Sequence, residues 1–220
     1  MISKGYSSFF KELSNNNSKE WFHAHKKRYE QEVKAPFLQL LEHLIPVLRE
    51  WDDRILHDPK KALFRINRDI RFSKDKSPYN TIMIAGFSPE GKKSIYPGYY
   101  LGIDADKIHV GGGLFMLQPI HLKAVREKIA ENTDTFLHLV SSKEFKTAFS
   151  ELKGEKSKRL NKSLLPAAEK TEIIYNKQYY AMTEFPLKEH YASETLPQYI
   201  LGFFEKIRPL NKYLNTALVP

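Results

Sequence analysis

From Leu63 to Gly111 the chain offers four extended apolar segments in succession, and no helical period interrupts them. Leu63 to Ile66, Thr81 to Phe87, Tyr99 to Asp104 and Lys107 to Gly111 are short and separated by turn-forming residues. Strands that follow one another without crossover helices pair antiparallel, and Ala105-Asp106 between the last two predicts a hairpin. Helical spacing lies on both sides of this block. Before it, Phe37, Leu40, Leu41, Leu44, Ile45 and Leu48 predict a helix from Pro36 to Arg49, with Pro46 expected to kink or end it near Ile45. Further upstream, Phe9, Phe10 and Leu13 predict a short helix, and Asn17 with Glu20 reads as a capping box opening a helix that carries Trp21, His25 and Tyr29. After the block, Ser141 with Glu144 opens a helix bearing Phe145, Ala148 and Phe149, and residues 155–162 read as a basic surface loop. Tyr175, Tyr179 and Tyr180 form either a strand or an aromatic patch on the core. Leu196, Ile200, Phe203, Phe204 and Ile207 then form a helix, which Arg208-Pro209 is expected to end before a last one at Leu210, Tyr213 and Leu214. The expected fold class is α+β: an antiparallel sheet of about four or more strands flanked by N-terminal and C-terminal helices. With no repeat and no linker composition, residues 1–220 read as a single domain.

Chemistry concentrates between Arg65 and Tyr79. Three Arg and two Lys meet two Asp there, a local balance of +3, and guanidinium groups match phosphate and carboxylate oxygens. As a strand, this stretch places Phe64, Ile66, Ile70 and Phe72 on one face and Arg65, Asn67, Asp69 and Arg71 on the other. Arg68 breaks that alternation, so the strand is expected to end near Ile66 and an ordered loop to run on to Tyr79. Two readings stay open. In one, Arg65, Arg68, Arg71 and Lys76 bind an anion, Asp69 orients an arginine and Tyr79 donates its hydroxyl. In the other, Arg68 and its neighbours pair with Asp69 and Asp75 in an internal lattice that binds nothing.

Gly111-Gly112-Gly113 supports two readings as well: backbone clearance between packed elements, or close approach of backbone N–H groups to an anion ahead of a helix opened by Pro119. His109, just before them at a strand end and able to line a cleft with them, is either the histidine that acts as an acid or base or a satisfied half-buried one. His23 and His25, the only close histidine pair, are two residues apart and fall on different sides of a helix, so no metal site is expected. The chain contains no His-Glu-x-x-His, Gly-x-Ser-x-Gly, phosphate-loop or dinucleotide motif, and no cofactor is expected.

The order Arg-x-x-Arg-Asp-x-Arg-Phe from Arg65 to Phe72, followed by Asp75-Lys76-x-x-Tyr79, resembles the signature of a bacterial family known as domain of unknown function 2461. The similarity extends to Asn15-Asn16-Asn17 before Glu20-Trp21-Phe22, to Pro97-Gly98-Tyr99-Tyr100, to Gly111-Gly112-Gly113-Leu114 and to Arg208-Pro209-Leu210-Asn211. What the resemblance implies is a single cytoplasmic domain of about this length, with no established activity, cofactor or catalytic residue to carry over.

Composition narrows the partners. The net charge of +9 favours polyanions, and Lys92-Lys93 and the lysines of residues 156–162 add cations to those of the arginine stretch. An anionic small molecule is the first expectation and nucleic acid the second, because the charge is not concentrated in one segment. No stretch reaches the roughly 20 apolar residues of a membrane span. No cysteine is present, so neither disulfides nor thiolate metal sites arise, and a cytoplasmic location is expected.

Overall fold

The computed structural model describes residues 1–92 and 94–218; Lys93 of the predicted basic loop lies outside them. It contains an antiparallel sheet of four strands, β1 (Met83–Phe87), β2 (Gly98–Ile103), β3 (Lys107–Leu114) and β4 (Tyr179–Pro186), in that order, with helices on both sides. The fold is therefore α+β. The β2–β3 hairpin forms where expected, because Asp104 Oδ1 accepts the backbone N–H groups of Asp106 and Lys107, each at 2.7 Å. The first expected strand is reduced to a single bridge from Leu63 to Ala85 on β1, and the fourth strand comes instead from the tyrosine-rich segment.

Residue contacts divide the chain into two compact units. The first comprises Met1–Lys92, Tyr100–His109 and Glu184–Ile200. In it, helix Lys4–Asn15 buries Tyr6, Phe9, Phe10 and Leu13, a spacing of three and four residues that makes one apolar stripe. Ser18, not Asn17, caps helix Lys19–Ala24, its hydroxyl accepting the Trp21 N–H at 3.1 Å. The asparagine is spent elsewhere. A π-helical turn, Tyr29–Lys34, leads into helix Ala35–Trp51, which buries Phe37, Leu40, Leu41, Leu44, Ile45 and Leu48 and continues through Pro46. Six buried apolar side chains on one helix outweigh the roughly 3 kcal/mol that an interior proline costs.

The second unit comprises Lys93–Tyr99, Val110–Thr183 and Leu201–Pro220. Ser142 rather than Ser141 caps helix Lys143–Phe149. Residues 153–157, which include the start of the loop expected at 155–162, pair with residues 175–180: Lys153 N–H donates to Tyr180 O at 2.7 Å and Ser157 N–H to Tyr175 O at 2.8 Å. Arg126 reinforces that pairing, donating through Nη2 to Ser157 Oγ and to the carbonyls of Tyr175 and Asn176. The expected break at Arg208-Pro209 is absent. Helix Leu196–Asn215 runs through Pro209, because Leu196, Ile200, Phe204, Ile207, Leu210 and Leu214 continue one buried stripe across it.

Candidate functional site

The arginine stretch is a closed surface loop in the first unit. After Ile66 the backbone leaves β1, and a bridge between Asn67 and Tyr79 brings the two ends of the loop together. Arg68 N–H donates to Pro78 O at 2.9 Å and Asn80 N–H to Ile66 O at 2.8 Å, which completes the neck. Asn17 holds that neck from outside: its Oδ1 accepts the Tyr79 N–H at 3.1 Å and its Nδ2 donates to the Tyr79 carbonyl at 2.9 Å. Beneath it, the Tyr79 ring stacks on Phe22 with centroids 4.0 Å apart and planes 18° from parallel. Tyr79 is 5% exposed. The side chain expected to donate to a ligand is thus the anchor of the loop.

Within the loop, each aspartate is engaged by an arginine. Asp69 binds Arg71 in a two-pronged pair, Nε to Oδ1 at 2.9 Å and Nη2 to Oδ2 at 2.7 Å. The Arg71 side chain, aided by its backbone N–H, holds the Asp69 carboxyl down at about 2. Asp75 accepts from the Ser77 hydroxyl at 2.7 Å, from the Ser77 N–H at 2.9 Å and from Arg68 Nη1, and its carboxyl lies well below the ordinary range for those reasons in that order. Lys76 turns back to the Ile70 carbonyl at 3.0 Å. Arg65 and Lys74 are exposed and have no hydrogen-bond or ion-pair partner among the described residues. Phe72 is 95% exposed, with the Arg71 guanidinium 5.8 Å from its ring centroid.

His109 belongs to a separate cluster in the same unit. Its Nε2 lies 2.8 Å from Asp104 Oδ2 and its Nδ1 3.5 Å from Glu184 Oε2, so the imidazole bridges the β2–β3 turn to β4. Lys107 also pairs with Glu184. Partial burial pushes the Asp104 carboxyl up; hydrogen bonds from His109 and from the Asp106 and Lys107 N–H groups outweigh this and leave it below its usual value. A cleft of about 430 Å³ lined by Asp106, Lys107, Glu184, Phe185, Lys188 and Tyr191 adjoins the cluster. Asp104 and Glu184 escaped the sequence reading because a carboxylate before a turn and another on a distant strand carry no shared spacing.

The glycines lie in the second unit, inside β3 and not in a turn before a helix. A Cβ on Gly111 would fall 2.1 Å from Ala181 O, one on Gly112 2.5 Å from Gly98 O and one on Gly113 2.2 Å from Tyr179 O. Close approach of neighbouring backbone therefore accounts for all three. Among the described residues, no group of three or more His, Asp or Glu side chains is placed to hold a metal ion. Among the described residues, no helix is long and apolar enough to cross a membrane.

No curated protein matches the chain. Residues 6–213 match the family described as "Conserved hypothetical protein (DUF2461)", a span that runs from the first buried tyrosine to the last turn of the final helix and takes in the whole stapled loop. The chain belongs to the DUF2461 family.

Proposed function

We propose that the chain binds a phosphate-bearing or otherwise anionic ligand through the loop of residues 65–78. One observation carries this reading: both aspartates of the loop are taken up by Arg68 and Arg71, so its net +3 rests on Arg65, Lys74 and Lys76, all exposed. In this role the ion pairs brace the loop, Arg65 and Lys74 meet the ligand, and Lys76 joins them by releasing the Ile70 carbonyl. Arg71, whose side chain is 75% exposed, keeps its Nη1 group free of the Asp69 pair for a further contact. Tyr79 positions the loop and does not touch the ligand.

A thermal-shift assay with inorganic polyphosphate tests the reading. Polyphosphate should raise the melting temperature of the wild type, and the variant Arg65→Ala/Lys74→Ala/Lys76→Ala should melt normally and lose that rise. No rise in the wild type, or an equal rise in the variant, refutes it. The same two ion pairs favour a second reading, in which the loop is a self-braced structural element without a ligand. That reading expects Arg68→Ala to lower stability while polyphosphate shifts neither protein.

A further inference from the structure

Phe72 has no role in gripping an anion. At 95% exposure it is the most exposed large apolar side chain among the described residues, the others lying between 37% and 70%. Scattered apolar residues on a surface are ordinary, but this one has restrained neighbours on both sides in the chain. Here the ring sits between Arg71, fixed by its two-pronged pair with Asp69, and Ser73, whose hydroxyl accepts from Arg68 Nη2 at 3.4 Å and whose N–H donates to Ile70 O at 3.3 Å. The loop therefore pays little further ordering entropy when something lands on the ring.

We infer that the ligand of this loop is a single-stranded nucleic acid, one base of which stacks on Phe72 while Arg65, Lys74 and Lys76 contact the adjoining phosphates. The inference rests on the anion-binding reading above and adds the chemical class of the anion. Three physical points select it. A flat, unenclosed aromatic face beside the Arg71 guanidinium, in a loop of net charge +3, suits a base with its own phosphates, since every base has a π-face and stacking tolerates any sequence. A free mononucleotide needs a pocket that covers most of its surface, whereas a ring this exposed covers one face only. Duplex DNA keeps its bases stacked on each other, so it presents phosphates to the cations and nothing to the ring.

Fluorescence anisotropy with labelled oligo(dT), using inorganic polyphosphate as competitor, tests the inference on the full chain. Wild-type protein should bind both probes, and three phosphate contacts should make oligo(dT) affinity fall roughly 20-fold between about 50 and about 200 mM salt. Phe72→Ala should lose about 10-fold in oligo(dT) affinity and keep its polyphosphate affinity. Phe72→Trp should restore oligo(dT) binding and show quenching beyond that of Trp21 and Trp51 when the oligonucleotide is added. If Phe72→Ala binds oligo(dT) as the wild type does, stacking is overturned while anion binding stands. If the wild type binds polyphosphate but not oligo(dT), the nucleic-acid assignment fails alone. If it binds neither, both readings fail. Binding to phosphatidylserine vesicles in place of oligo(dT), lost in Phe72→Ala, would seat the ring in a lipid surface and overturn the inference.

Discussion

Asn17 closes a two-way hydrogen-bonded staple on the backbone of Tyr79, 62 residues further along the chain. The asparagine amide imitates a paired strand residue, donating and accepting at once, where the neck of the arginine loop would otherwise leave both groups of Tyr79 unmatched. Replacing Asn17 by Ala removes both bonds from a buried residue, and the expected loss of stability is about 1–3 kcal/mol. Asn17→Asp keeps the acceptor and loses the donor, so its loss should be smaller at neutral pH. Urea denaturation of the three proteins measures both differences.

The Asp69 carboxyl should titrate near pH 2, the value to which its arginine and the backbone hold it. An acid whose folded value is depressed adds bracing above its unfolded value near 4, and that bracing is lost as pH falls through the folded value. In Arg71→Ala the midpoint should return most of the way to about 4. Carboxyl chemical shifts followed by NMR against pH read the midpoint directly, and an unchanged midpoint in the variant would mean the pair does not persist in solution.

His109→Ala should shift the Asp104 titration to higher pH. Burial, the largest influence on that carboxyl, already pushes it up, and the variant removes one of the hydrogen bonds that hold it below its ordinary value. Because Asp104 and Glu184 are both depressed in the folded protein, their contributions exist above about pH 4 and disappear on acidification. Acid unfolding of the variant should therefore begin at a higher pH than that of the wild type, as circular dichroism would report.

Glycines separate into two groups by what surrounds them. Gly113→Ala combines a Cβ 2.2 Å from a carbonyl oxygen with a φ of +121°, and a loss of about 3 kcal/mol is expected. Gly202, inside helix Leu196–Asn215, has nothing within 4 Å of the same added atom. Gly202→Ala should stabilise the protein by about 0.4–1 kcal/mol. Paired melting curves of the two variants decide whether crowding or helix propensity governs each site.

Much of the architecture was legible in the sequence because it follows local periods. The stripe from Phe37 to Leu48 identified its helix, and Ala105-Asp106 identified the hairpin, since each signal sits within a few residues. What failed depends on distant partners. Pro209 reads as a stop until the buried stripe on either side of it is known, and Asn17 reads as a cap until Tyr79 is placed beside it. The ordered loop from Ile66 to Tyr79 was foreseen, and within the arginine stretch Arg68 and Arg71 pair with aspartates while Arg65 and Lys74 have no such partner. Sequence spacing could not divide them, because Arg71 and Asp69 are neighbours in the chain while Arg68 reaches seven residues to Asp75.

The staple also bears on how the protein is built and trimmed. Asn17 leaves the ribosome long before Tyr79, so this staple cannot close until synthesis has delivered both, and expression clones that begin after the third asparagine would carry the arginine loop on its neck and the Tyr79–Phe22 stack alone.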